Sequence, residues 1–114
     1  MRKGEVWLVS LDPTLGDEMS KTRPAVIVSD DAIGTLRLKV IVPITDWKER
    51  YKLALWMVRL ESDKENGLSK TSAADAFQGR SVAQARLSRR LGKLSDTAMQ
   101  QVARALAAVF DINS

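Results

Sequence analysis

The chain has 114 residues, 45% of them hydrophobic and 28% charged, a length that fits one domain (1–114) and leaves no room for separate substrate and cofactor domains. It carries no cysteine and no histidine, which excludes a disulfide framework, thiolate catalysis, Cys- or His-ligated metals and the usual neutral-pH general base. Eighteen Lys and Arg against 14 Asp and Glu give a net charge of +4, which favours a polyanionic partner without identifying it.

Residues 5–9 are β-branched and aromatic, and Leu11-Asp12-Pro13-Thr14-Leu15-Gly16 supplies turn chemistry, so a strand and then a loop are expected. The loop runs polar to Arg23-Pro24, after which Ala25–Val28 reads as a short buried strand with Pro24 at its start, where a missing N–H is tolerated. A third strand is expected over Leu36–Ile44, its Pro43 end at a sheet edge or bend. Leu55–Leu60 reads as a fourth strand, and Glu61–Lys70, which contains Asn66-Gly67, as a loop.

Residues 72–84 fit a helix through Ala73, Ala74 and Ala76 or a bent strand through Phe77 and Val82; the strand reading is favoured. The last element is a helix. Ser95 is a good N-cap, Asp96 complements the helix dipole, and Met99, Val102, Ala103, Leu106, Val109 and Phe110 recur at spacings of three and four. Strands followed by one terminal helix describe an α+β domain on a curled antiparallel sheet.

No apolar run reaches the ~18 residues needed to cross a bilayer, and Met1-Arg2-Lys3-Gly4-Glu5 lacks the apolar stretch of a secretory signal. A soluble, cytoplasmic protein with no membrane partner is the expectation. Phosphate-cradling loops, zinc spacings and nucleophile elbows are absent from the sequence. Between Arg80 and Phe110 stand six basic residues and one acid, Asp96, which is either a solvated face or a track for a phosphate backbone.

The run Gly4-Glu5-Val6-Trp7-Leu8-Val9-Ser10-Leu11-Asp12-Pro13-Thr14-Leu15-Gly16, then Glu18, then Thr22-Arg23-Pro24-Ala25-Val26-Ile27-Val28-Ser29, resembles the opening of the MazF/PemK/Kid family of toxin endoribonucleases. Val42-Pro43-Ile44-Thr45 and Phe77-Gln78-Gly79-Arg80-Ser81-Val82 are similar to two later blocks of that family. The resemblance implies a MazF/PemK-like fold, an SH3-like barrel of about five to seven antiparallel strands with a C-terminal amphipathic helix. It also implies a homodimer that cuts single-stranded mRNA at short sequences without a cofactor or metal. A cognate acidic antitoxin would hold the toxin inactive, and operator DNA would be reached only through that antitoxin.

By position the resemblance assigns catalysis to Arg23 and Thr45 and matches Glu18 to the acid of the same loop. RNA contacts fall to Asp17, Lys21, Thr22, Trp47, Gln78, Arg80 and Arg86. Phe77 departs from the pattern, standing where many members carry an acid; Asp75, two residues earlier, shares its face if the segment is a strand.

The chemistry is consistent with these residue types. In metal-free cleavage the ribose 2′-OH attacks the adjacent phosphate, so the protein must orient the groups and stabilise a dianionic transition state. A guanidinium, planar and always charged, suits the second task. Glu18 is the available base for the 2′-OH if desolvated, and otherwise an anchor for Arg23. Trp7 and Trp56 read as core, and Trp47, in a polar stretch, as a stacking candidate. Two other readings are a non-catalytic RNA-binding barrel and an attenuated homologue acting through antitoxin binding and transcriptional autoregulation.

Overall fold

In the computed structural model, which describes residues 1–33 and 37–112, seven strands precede one long helix: β1 (Glu5–Ser10), β2 (Thr22–Ile27), β3 (Leu38–Asp46), β4 (Met57–Leu60), β5 (Ser72–Asp75), β6 (Arg80–Ala83), β7 (Leu87–Lys93) and α1 (Asp96–Phe110). All pairings are antiparallel, in the order β4-β5-β3-β2-β1-β7, with β6 also on β3. The expected architecture of a curled antiparallel sheet with a C-terminal helix is therefore present.

The strand β3 organises the sheet. Its first half pairs with β6 (Leu38 opposite Ala83 to Ile41 opposite Arg80), its last three residues pair with β5 (Ile44 opposite Ala74), and β2 lies along its other side. Pro43 sits between the two partners on one side and opposite Ala25 on the other. The expected sheet edge is not found there: Pro43 lies in the sheet interior, at the point where the neighbouring strand changes and a ladder N–H is dispensable.

Both faces of this sheet are covered, which is why β2 and β3 carry unbroken apolar runs. One core joins Val6, Val26, Val42, Ile44, Val58, Leu60 and Ala74 to Val102 and Ala105 of α1; the other joins Val9, Leu11, Ala25, Ile27, Ile41, Val82 and Leu87. Each fully buried Val, Leu or Ile contributes about 1.5–3 kcal/mol, so the two faces together outweigh the modest propensities of the short strands. Ser95 caps the helix by accepting from the Ala98 N–H at 3.1 Å.

Several sequence expectations shift. The strand β2 begins at Thr22, not Ala25, and so takes in Arg23. The third strand runs to Asp46, and the expected start at Leu36 lies outside the described residues. The fourth begins at Met57, leaving Leu55 and Trp56 exposed ahead of it. Residues 72–84 split into β5 and β6 around a 3-10 turn, Ala76–Gln78. On the helix Ala103 and Phe110 face solvent while Ala105 is buried, because the sheet-facing stripe runs through 98, 102, 105, 106 and 109 and α1 outlasts the sheet beneath it.

The loop 61–71 spans from the sheet's outer strand β4 toward the opposite outer strand β7. Asn66, 4% exposed, ties it together: Nδ2 donates to the Glu61 carbonyl at 2.8 Å, and Oδ1 accepts from the Asp63 and Leu68 N–H groups. The Lys93 N–H donates to the Glu65 carbonyl at 2.8 Å. Gly67 and Gly92 permit this approach, since a Cβ on Gly67 would stand 2.1 Å from the Leu91 carbonyl and one on Gly92 2.2 Å from that of Glu65. Among the described residues no helix is long and apolar enough to cross a membrane.

Candidate active site

Register places the principal pair. Ala25 lies opposite Pro43 in the β2–β3 ladder, and two further residues along each strand bring Arg23 beside Thr45 on the same face. The Arg23 Nη1 donates to Thr45 Oγ1 at 3.5 Å, and its Nε donates to the Ser20 carbonyl at 2.9 Å. Lys21, at φ 69° in the left-handed region, turns the chain between that carbonyl and β2. The arginine is thus half-buried and oriented from a strand, while the long contact to Thr45 leaves both groups capacity for a third partner.

The pair lines a cleft of about 360 Å³ with Thr22, Asp46, Lys70 and Arg89. Gly67, Leu68 and Ser69, from the loop that crosses to β7, line it as well. Lys70 Nζ pairs with Asp46 Oδ2 at 3.1 Å, both side chains exposed. Three cations from separate elements, Arg23, Lys70 and Arg89, therefore line one cleft, and of these Lys70 is paired with its carboxylate, Asp46.

Glu18 is not among them. It lines a second cleft, of about 370 Å³, with Asp17, Met19, Phe77, Gln78 and Arg80. The carboxylate is exposed and accepts from the Leu15 N–H at 2.6 Å, and among the described residues no ion pair joins it to Arg23. Neither condition set by the sequence, desolvation or an anchoring bond to Arg23, is met. Asp17 is exposed, and its carbonyl accepts from Gln78 Nε2 at 3.0 Å while Gln78 Oε1 accepts from the Met19 N–H at 3.0 Å. Both ends of the glutamine amide are thereby committed to the loop between β1 and β2.

Arg80 and Arg86 serve the same loop. Arg80 Nη1 donates to the Leu11 carbonyl at 3.1 Å; Arg86 Nη1 donates to the Ser10 carbonyl at 3.1 Å and to that of Asp12. Lys21 and Thr22 are exposed. Trp47, just beyond β3, has Arg59 over its ring at 5.3 Å, Tyr51 edge-on at 6.0 Å, and a bond from its indole N–H to Glu49 at 3.2 Å.

The other aromatic and acidic candidates resolve differently. Trp7 packs partly buried on the second core and donates to Glu5 at 2.9 Å, whereas Trp56 is 42% exposed and meets Phe77 edge-on at 6.1 Å, so the core reading fails for it. Asp75 does not share a face with Phe77, because the chain enters the 3-10 turn: Asp75 is buried and caps that turn by accepting from the Phe77 N–H at 3.1 Å, while Phe77 points outward at 68% exposure. Burial raises the Asp75 carboxyl above its ordinary value, against the N–H groups of Phe77 and Gln78. For Glu5, burial is outweighed by bonds from Trp7 and Arg2 and by the charges of the N-terminus and Arg90, which hold it below its ordinary value.

The sequence did not single out Lys70 or Asp46. Asp46 was legible in principle as the neighbour of Thr45, but Lys70 arrives from a loop 25 positions on, and no local signal marks it.

A guanidinium and a hydroxyl side by side in an open, cation-rich cleft on a curled antiparallel sheet equip a protein to hold a phosphodiester. The profile of the family described as "PemK-like, MazF-like toxin of type II toxin-antitoxin system" matches residues 2–110, and the chain belongs to that family. It is 36% identical over 118 aligned positions to endoribonuclease MazF9 of Mycobacterium tuberculosis, covering 98% of both chains. To endoribonuclease PemK of Escherichia coli it is 38% identical over 104, covering 90% of this chain and 76% of that protein. In fold it is similar to a mycobacterial endoribonuclease solved in complex with its cognate antitoxin, at a TM-score of 0.79, 19% identity and coverage of 100% and 98%.

Proposed function

We propose that the protein is a sequence-specific, metal-independent endoribonuclease, the toxin of a toxin–antitoxin pair, and that the Arg23–Thr45 cleft is where single-stranded mRNA is cut. The single observation that carries this reading is the Arg23–Thr45 contact, in a chain whose family and whose relatives at 36–38% identity point to RNA cleavage.

Each step balances without a cofactor. The ribose 2′-oxygen attacks the adjacent phosphorus, the bond to the 5′-oxygen breaks, and a 2′,3′-cyclic phosphate and a 5′-hydroxyl result. The proton lost by the 2′-hydroxyl and the one gained by the 5′-oxygen exchange with water in the open cleft. Arg23 neutralises the charge that builds on the non-bridging oxygens, and Thr45 orients one of them through its hydroxyl. The exposed Glu18, bonded within its own turn, supports a role in shaping the second cleft in place of proton transfer. Gln78, Arg80 and Arg86 hold the β1–β2 loop, with its Asp17, Lys21 and Thr22, against the sheet as one wall of the RNA path, and Trp47 offers a base-stacking surface beyond Thr45.

The working form in this proposal is a cytoplasmic homodimer whose basic groove spans both subunits. A cognate antitoxin occludes that groove with an acidic segment that folds on binding, and operator DNA is reached through it alone. The test is incubation of the purified protein with a long RNA in excess EDTA, with mapping of the 5′ ends. Cleavage at a recurring short sequence, abolished by a 2′-deoxy substitution at the cut site, is the expected result; activity lost in EDTA and restored by magnesium would sink the mechanism.

A further inference from the structure

The basic run at the end of the sequence is not one surface. Arg86 is committed to the carbonyls of Ser10 and Asp12. Arg90, opposite Trp7 in the β1–β7 ladder, reaches Glu5 at 3.5 Å. Arg89, opposite Leu8, turns to the other face and lines the Arg23–Thr45 cleft. Its side chain has no hydrogen-bond or ion-pair partner among the described residues.

Lys70 lines the same cleft, and among the described residues the one partner of its side chain is the exposed carboxylate of Asp46. Both side chains are exposed, so the pair is weak and screened by solvent, and an arriving phosphate can displace it. Arg23 already has two of its nitrogens engaged, by Ser20 and Thr45, so it suits one phosphate and not two.

We propose that Arg89 and Lys70 form a second phosphate subsite, which holds the RNA phosphate next to the scissile one, and that Asp46 masks Lys70 until RNA arrives. The inference rests on the RNA reading of the cleft. It separates two neighbouring arginines that composition cannot distinguish: Arg89 binds substrate and Arg90 does not. A phosphate held away from the reacting bond is held equally in the ground and transition states, so its loss appears in affinity and not in turnover.

The probe is a mixed-sequence, uncleavable 2′-O-methyl RNA hexamer, its binding to the full chain followed by fluorescence anisotropy across a salt series. Arg89→Gln and Lys70→Gln should each lower the slope of log K against log salt by about 0.7, the single-strand increment for one phosphate contact. Arg90→Gln should leave it unchanged, Arg89→Lys should retain most of the slope, and Asp46→Asn should tighten binding. In single-turnover cleavage Arg89→Gln should raise the protein concentration needed for the half-maximal rate, which Arg90→Gln should leave unchanged, with melting temperatures confirming that each variant folds.

Equal losses for Arg89→Gln and Arg90→Gln would reduce the effect to diffuse charge and overturn the subsite, as would no binding of the hexamer or a weakening by Asp46→Asn. Arg89-dependent binding by a protein that cuts no RNA would instead overturn the nuclease reading and leave the subsite standing.

Discussion

Arg23 engages Ser20 with one nitrogen and Thr45 with another, a division of labour that only a branched, planar group can perform. Arg23→Lys keeps the charge and supplies a single nitrogen, so it should fold normally yet lose about 10²- to 10³-fold in single-turnover rate, as should Thr45→Ala, with little change in affinity for an uncleavable RNA. A fully active Arg23→Lys would remove the guanidinium from the phosphate. Asp75 makes a stability claim. Its folded pKa lies above the ordinary value of 3.8, so its contribution is full below that value and is lost as pH rises through the folded pKa. Asp75→Asn keeps an oxygen for the Phe77 N–H and removes the buried charge; relative to the parent, its denaturant midpoint should gain more at pH 7 than at pH 4. Asp75→Ala, which loses the cap, should cost about 1 kcal/mol. Arg23 and Thr45 were legible as residue types in a spaced motif, but their contact was not, because it depends on a ladder between strands 22 positions apart. Asp75 and Phe77 were misplaced for a local reason: alternation predicts a shared face only while the chain stays extended, and the cap at Asp75 ends that extension.

Elements whose signal is periodic were read best. The helix was marked by its cap and its stripe of three and four, and within that stripe Ala103 and Phe110 proved to face solvent. Its C-terminus offers a direct test. Asp111 adopts φ 54°, while its own N–H and that of Ile112 bond back to Ala108 at 3.3 Å and Ala107 at 2.9 Å, a left-handed stop that glycine adopts without strain. Asp111→Gly should therefore stabilise the protein by about 0.5–1 kcal/mol, seen as a rise of about 4 °C or less in the melting temperature. The strand β7 was not read as a strand. Its Leu87-Ser88-Arg89-Arg90-Leu91-Gly92-Lys93 sequence has low β-propensity and sits at the sheet margin, with irregular register against β1 between Val6 and Trp7 and between Leu8 and Val9. Charge that marked a binding surface to the eye concealed the backbone pairing that presents it.

At the scale of the whole molecule, the two clefts are held by separate means. The Arg23–Thr45 cleft is framed by β2, β3, β7 and the loop from β4, and the second by the loop from β1 and the turn before β6. Overall charge pointed toward a polyanion, and family pattern toward a nuclease, but the sorting of cations into loop clamps, an ion pair with Glu5 and cleft-facing groups exists only in three dimensions. The crossing at Gly67 and Gly92 carries a further consequence, for the protein's behaviour at high concentration. A sheet with free margins invites other sheets to pair with it. Here the outer strands are discouraged from doing so: the backbone of the loop after β4 lies across β7, the register against β1 is irregular, and Arg59, Arg89, Arg90 and Lys93 place charge along both margins. Of these margin charges only Arg89 belongs to the proposed phosphate subsite, so neutralising it to weaken phosphate binding would also remove one of the charges that resist edge-to-edge pairing, whereas Arg59, Arg90 and Lys93 guard the margins without that second duty.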